Sequence, residues 1–271
     1  MTYSIVARDA ASGQLGVAVQ TKAFAVGRTV PWAAPGVGAV ATQAFSERSY
    51  GPLGLELMDA GRAAEEALHG LVAADPRAGI RQVAMVDGAG QVAAHTGDAC
   101  IPEAGHVVGD GFSVQANMMR SADVWPAMAK AFTMAEGTLA RRLLAALDAG
   151  EAAGGDFRGK QAAAMVVVPG ERSGRPWDER VVDLRVDEHA EPLAELRRLL
   201  DLEEAFRRLD SLDSTDELDA ARAAGVDEDE LHWHAAVAAW RAGDAAEARR
   251  RFEPLLAFDP RWEAAWAALT A

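Results

Sequence analysis

The 271-residue chain is half apolar and carries 41 acidic against 27 basic side chains, a net charge of −14. That balance argues against a nucleic-acid partner and against an anionic membrane surface. One cysteine, Cys100, excludes an internal disulfide and fits a reducing compartment, and there is neither a signal-peptide pattern nor a run of ~18 apolar residues, so a soluble, cytoplasmic protein is expected.

The chain begins with a predicted β-hairpin: Thr2 to Arg8, a five-residue turn DAASG, then Gln14 to Lys22. Alternation puts Tyr3, Ile5 and Ala7 on one face and Thr2, Ser4, Val6 and Arg8 on the other. If Arg8 pairs with Gln14, Thr2 lies opposite Gln20 and Lys22 sits one diagonal step away, roughly 7–8 Å at the backbone. A slip of one residue would destroy that relation. Initiator methionine is generally trimmed before a small residue, which would leave Thr2 with a hydroxyl and a free α-amine. Such an amine has a pKa of roughly 7.7–8.0 and can take the proton of its own hydroxyl. A nearby Lys22 ammonium would favour the basic form of the amine. The same residues also fit an ordinary chain start and a solvated strand end.

A loop with two prolines around Trp32 follows, then a small-residue strand from Gly36 to Phe45. Leu53 to Asp75 reads as two helical stretches interrupted at Gly61 and stopped by Pro76. RQVAMVD and QVAAHTG form a second hairpin around Asp87-Gly88, and GDGFSVQANMM is a further strand. Asp123 to Gly150 reads as two helices, each ended by a glycine, before the strands KQAAAMVVV and RVVDLRV. Runs of strands alternating with runs of helices indicate antiparallel sheets with helices on their outer faces, an α+β fold. No GxGxxG or Walker A pattern supports a nucleotide-binding fold. PLAELRRLLDLEEAFRRL is an amphipathic helix, SLDSTDE a polar linker, and the remainder is helical, which predicts a large domain over 1–210 and a helical one over 216–271.

MTYSIVARD, GQLGVAVQTKAFAVG, GVGAVATQAFSERSYGPLGLELM, FSVQANMM and GGDFRGKQAAAM resemble the family called domain of unknown function 1028 over roughly Thr2 to Leu200. That family is placed among the Ntn (N-terminal nucleophile) hydrolases, so the resemblance implies a four-layer αββα sandwich and an amidohydrolase acting on a small amide or peptide-like metabolite. In that frame Thr2 is the nucleophile and Lys22 falls where such enzymes often place a basic residue. Asn117 would donate to the oxyanion, a contact worth roughly 3 kcal/mol when well aimed, or else satisfy backbone at a strand end. Asp156 corresponds to an aspartate that supports the nucleophile in proteasome-like members. Arg158 would bind a substrate carboxylate bidentately or brace a Gly-rich turn with Asp156. Gln43 and Tyr50 are candidates for lining the pocket. Ser4 shares the face of Thr2, so either hydroxyl could be the important one.

Cys100 with His106 offers a thiol–imidazole alternative, although a lone cysteine by an apolar strand is usually inert. His232 and His234 lie two apart on a helix and face different ways, so no metal is expected, nor any cofactor. Leu231 to Leu269 resembles one tetratricopeptide repeat and the start of another through Gly243, Asp244, Ala248, Phe252, Pro260 and Trp266, whereas His232, Ala235, Ala236 and Ala239 replace the usual first-helix signature. A lone repeat cannot bury its apolar face, which suggests packing within the chain, a homodimer or a partner. In this family such a tail has been labelled peptidoglycan-binding, which implies cell-wall fragments as ligands. A non-catalytic scaffold that uses this tail is the second functional expectation.

Overall fold

The computed structural model describes residues 2–210 and 215–271. They form two compact units, Met1–Arg197 and Arg198–Ala271.

The first unit begins with β1 (Thr2–Arg8), β2 (Leu15–Thr21), β3 (Pro31–Ala34) and β4 (Gly38–Ala44), followed by α1 (Tyr50–Asp59) and α2 (Ala64–Ala74). Strands β5 (Arg81–Asp87), β6 (Val92–Thr96), β7 (Gly105–Gly109) and β8 (Phe112–Asn117) follow. Then come α3 (Val124–Met134), α4 (Leu139–Ala152), β9 (Ala162–Val168) and β10 (Val182–Val186). The strands build a six-stranded sheet in the order β10-β9-β2-β1-β8-β7 and a four-stranded sheet in the order β3-β4-β5-β6. Every pairing is antiparallel, as the succession of strands and helices predicts.

Side-chain alternation explains how these layers hold. Val6, Leu15, Val17, Val19, Ala164 and Val166 of the larger sheet pack on Ala39, Ala41, Ala84 and Val86 of the smaller one. Each fully buried valine or leucine contributes about 1.5–3 kcal/mol. The opposite parity of β4 and β5, Val40, Val83 and Met85, packs with Tyr50, Met58, Ala67 and Leu68 of α1 and α2. Helices α3 and α4 lie on the larger sheet, where Phe132 of α3 meets Phe112 of β8 at 4.8 Å between ring centroids. Asp87 ties two elements together: its Oδ1 accepts from Ala89 N and Gln91 N in the β5–β6 turn, and its Oδ2 accepts from Ala64 N at the start of α2.

The structure corrects four local expectations. The first hairpin pairs Arg8 with Leu15 and Thr2 with Thr21, one residue away from the predicted register. The cause is the turn: Asp9 extends the pairing by donating its N–H to Gln14 O, and its carboxylate accepts from Ser12 N and Oγ. Gly13 then closes the turn at φ 72°, a left-handed conformation that glycine adopts without a Cβ penalty. Second, the two-proline stretch contains β3, with Pro31 at the first position of an edge strand, where its missing N–H costs nothing. Third, β7 precedes β8 as an edge strand too short and Gly-bounded to show alternation. Fourth, Gly150 does not end α4, which runs on to Ala152. A Cβ there would stand 3.0 Å from Met128 Cγ and 3.2 Å from Tyr3 Cδ2, so this glycine serves close packing.

Helix α5 (Pro192–Asp210) runs across the boundary between the units. In the second unit its Ala205 and Leu209 join Leu218 and Ala221 of α6 (Thr215–Ala223) and Leu231 and Ala235 of α7 (Glu228–Arg241). Ala236 of α7, Phe252 and Leu255 of α8 (Ala245–Phe258) and Trp262 and Trp266 of α9 (Trp262–Thr270) form a further cluster. Residues 211–214 of the predicted polar linker lie outside the described residues, as does Met1. No helix among the described residues is long and apolar enough to cross a membrane.

Candidate functional site

Strand β1 runs between β2 and β8, so Thr2 at its start is flanked by Thr21 and by Asn117. Thr2 is 4% exposed and its Oγ1 lies 3.1 Å from Thr21 Oγ1. Its parity points it into the space between the sheets, where the apolar layer gives way to polar side chains. Gln43 of β4 is fully buried there: its Oε1 accepts from Ser4 Oγ at 2.6 Å, and its Nε2 donates to Gln82 Oε1 at 2.7 Å and Thr2 O at 3.2 Å. Gln82 of β5 also accepts from Asn117 Nδ2 at 2.9 Å, and its Nε2 donates to Ala116 O at 2.8 Å and Thr96 Oγ1 at 2.9 Å. Ser4 accepts from Gln115 Nε2 at 2.6 Å, and Gln115 Oε1 accepts from Ser113 Oγ at 3.0 Å. Thr96 Oγ1 stands 2.8 Å from His106 Nδ1, which closes the chain of contacts at the sheet edge.

A cavity of ≈ 120 Å³ opens at this end of the strands, lined by Ala44, Phe45, Ile101, Asn117 and Met118. Asn117 reaches Thr2 directly, its Nδ2 donating to Thr2 O at 3.3 Å. Ala44 follows Gln43, which donates to the same carbonyl. Two residues of this wall, Ala44 at φ 68° and Met118 at φ 58°, sit in the left-handed region. Each such conformation costs a non-glycine residue about 1–3 kcal/mol and persists only where the surroundings impose it, as at ligand-binding sites.

The remaining candidates separate. Thr2, Asn117 and Gln43 come together, and Ser4 joins them but is wholly enclosed by Gln43 and Gln115. Lys22 does not take the diagonal position: with Thr2 opposite Thr21 it lies past the end of β2, its N–H donating to Asp156 Oδ2 at 3.3 Å and its Nζ to Lys160 O at 3.4 Å. Asp156 is buried and accepts from Arg158 N at 2.9 Å, Nε at 3.2 Å and Nη2 at 2.8 Å, so the two form a braced turn. Removing that carboxylate strands several donors. We expect Asp156→Ala to lower unfolding free energy by about 2–3 kcal/mol and Arg158→Ala, whose side chain is partly exposed, by less, read by urea denaturation.

Tyr50 belongs to the opposite face of the smaller sheet, in the cluster under α1 and α2, and its hydroxyl donates to Asp75 Oδ2 at 3.2 Å. Burial, with help from the Asp75 carboxylate, pushes its phenol up from 10.0 to about 12. A raised phenol means the folded state holds the proton more tightly than the unfolded state. The stabilisation is therefore complete below pH 10 and lost as pH rises toward 12. Thermal melts across that range should show a steeper loss in the wild type than in Tyr50→Phe.

Cys100 Sγ donates to Arg81 O at 3.3 Å, and burial raises its thiol pKa, whereas burial lowers the imidazole pKa of His106. A buried, protonated thiol is a poor nucleophile. Among the described residues no group of three or more His, Cys, Asp or Glu could hold a metal ion. Sequence reasoning missed Gln82, Gln115, Ser113, Thr96 and Thr21. One signal was present: Thr2/Ser4, Gln43, Gln82 and Ser113/Gln115 fall on the same parity as core-facing Val6, Ala41, Ala84 and Val86.

The fold and this site define a mixed α/β protein of two antiparallel sheets whose shared interior turns polar around the first strand. The chain belongs to the family of unknown function DUF1028, whose family model matches residues 2–196. It is similar to protein SPO2555 from Silicibacter pomeroyi, whose crystal structure carries the same family description. Identity is 31%, the match covers 82% of this chain and 93% of that one, and the TM-score is 0.67. A comparison with curated proteins gives no match.

Proposed function

We propose that the unit Met1–Arg197 is an N-terminal-nucleophile amidohydrolase built as a four-layer αββα sandwich, with Thr2 as nucleophile once Met1 is removed. The observation that carries this reading is a cavity whose wall includes Asn117, the residue that donates its Nδ2 to Thr2 O. Two sheets with helices on their outer faces agree with it.

In this reading the α-amine takes the proton of the Thr2 hydroxyl as Oγ1 attacks an amide carbonyl, forming a C–O bond and an oxyanion. Collapse breaks the C–N bond and the amine's proton goes to the leaving nitrogen. Water then attacks the ester, the acid departs and Thr2 is restored. Asn117 spends its Nδ2 on Thr2 O and Gln82 Oε1, so it positions Thr2 and donates to the oxyanion only by giving up one of those partners. Asp156 supports the strand end through Lys22 N rather than the hydroxyl itself. Intact mass tests the first requirement: loss of Met1 is expected, and a retained methionine overturns the mechanism in favour of the scaffold reading. Ammonia or amine release from a panel of neutral amides and dipeptides tests the second.

A further inference from the structure

We infer that the cavity walled by Asn117, the residue bonded to the Thr2 carbonyl, is the acyl-side subsite and takes a neutral, branched aliphatic group of about the size of a leucine side chain. This deepens the Thr2 reading and rests on it. Four of the five wall residues are apolar, Ala44, Phe45, Ile101 and Met118, and the single polar one is Asn117, which donates to Thr2 O. The wall holds no charged side chain, so a carboxylate or ammonium entering it would lose hydration without a counter-charge. Size narrows the class further. A cavity of about 150 Å³ holds benzene. One of ≈ 120 Å³ therefore admits an isobutyl group.

The mouth is apolar as well: Phe45 is 51% exposed and Ile101 39% exposed. Burial against an entering ligand would cover both. The acyl group must stay beside Thr2 while water replaces the departed amine. Asn117 joins the wall of this pocket to the Thr2 carbonyl, and on that link the pocket is assigned to the part of the substrate that stays.

Binding is measured on the full-length Thr2→Ala chain, which needs no turnover, by ligand-observed NMR with isovaleramide, acetamide and the charged succinamate. Each methylene buried should tighten binding about fourfold, the equivalent of about 0.8 kcal/mol. Isovaleramide should thus bind at least tenfold tighter than acetamide, and succinamate least. Ile101→Trp, at a half-exposed site that tolerates substitution, should fill the cavity and erase the preference. Equal affinities, absent isovaleramide binding or indifference to Ile101→Trp would overturn the subsite. In the wild type, hydrolysis of isovaleramide should exceed that of N-isobutylacetamide, and the reverse order would overturn the acyl-side assignment. Binding with the expected preference but no hydrolysis by the wild type would sink the Thr2 mechanism and leave the pocket standing.

Discussion

Thr2→Ala is expected to reduce amide hydrolysis by about 10⁴-fold or more, with KM little changed. Loss of the attacking oxygen removes the step on which the other groups act, and single removal of a nucleophile elsewhere costs about as much as removal of its whole constellation. Alanine leaves a small residue after Met1, so processing continues and the α-amine remains. Thr2→Ser should keep a measurable fraction of the activity, because hydroxyl and amine stay on one residue. The two variants together separate nucleophilic loss from structural damage: the Thr2 contact with Thr21 is a single 3.1 Å bond, worth about 1 kcal/mol. Full activity in Thr2→Ala, with melting unchanged, would remove Thr2 from the chemistry.

Gln82→Leu is expected to be the most damaging single change in the interior, costing about 3–5 kcal/mol of unfolding free energy. Leucine nearly matches the volume of glutamine but takes both the Nε2 donors from Ala116 O and Thr96 Oγ1 and the Oε1 acceptor from Gln43 and Asn117. All of this happens at a residue with no solvent exposure, where each orphaned group costs about 1–3 kcal/mol. Against a typical total of about 5–15 kcal/mol the loss is severe. Denaturation by urea, followed by far-ultraviolet circular dichroism, gives the number. A midpoint within error of the wild type would show that the network is dispensable. Freeing Asn117 from Gln82 should also loosen the Thr2 end of β1, so amide hydrolysis should fall even in the folded fraction.

Much of the first unit was legible in the chain because long alternating or helical runs carry their own periodicity. RQVAMVD emerges as β5 over the same residues, and Leu139 to Leu147 supplies the apolar stripe of α4. The short edge strands β3 and β7 escaped because four or five residues with proline or glycine carry too little pattern. The candidate site was partly legible. Thr2 and Asn117, both candidates from the sequence, are cross-strand neighbours, whereas Tyr50 packs on the far face of the smaller sheet.

The sequence by itself determined the parity of each strand, and with it that Thr2, Ser4 and Val6 share one face. It also determined the acidic surface and the change to helical character near the end of the chain. Tertiary structure alone decided the register, because one Asp9–Gln14 pairing in a turn moved Thr2 from Gln20 to Thr21 and left Lys22 past the end of β2, where its Nζ donates to Lys160 O. It alone decided that Gln43, Gln82 and Gln115 meet. These residues lie in three strands far apart in sequence, and the Gln43 amide meets that of Gln82 directly and that of Gln115 through Ser4 only when the two sheets close and exclude the water that would otherwise satisfy them.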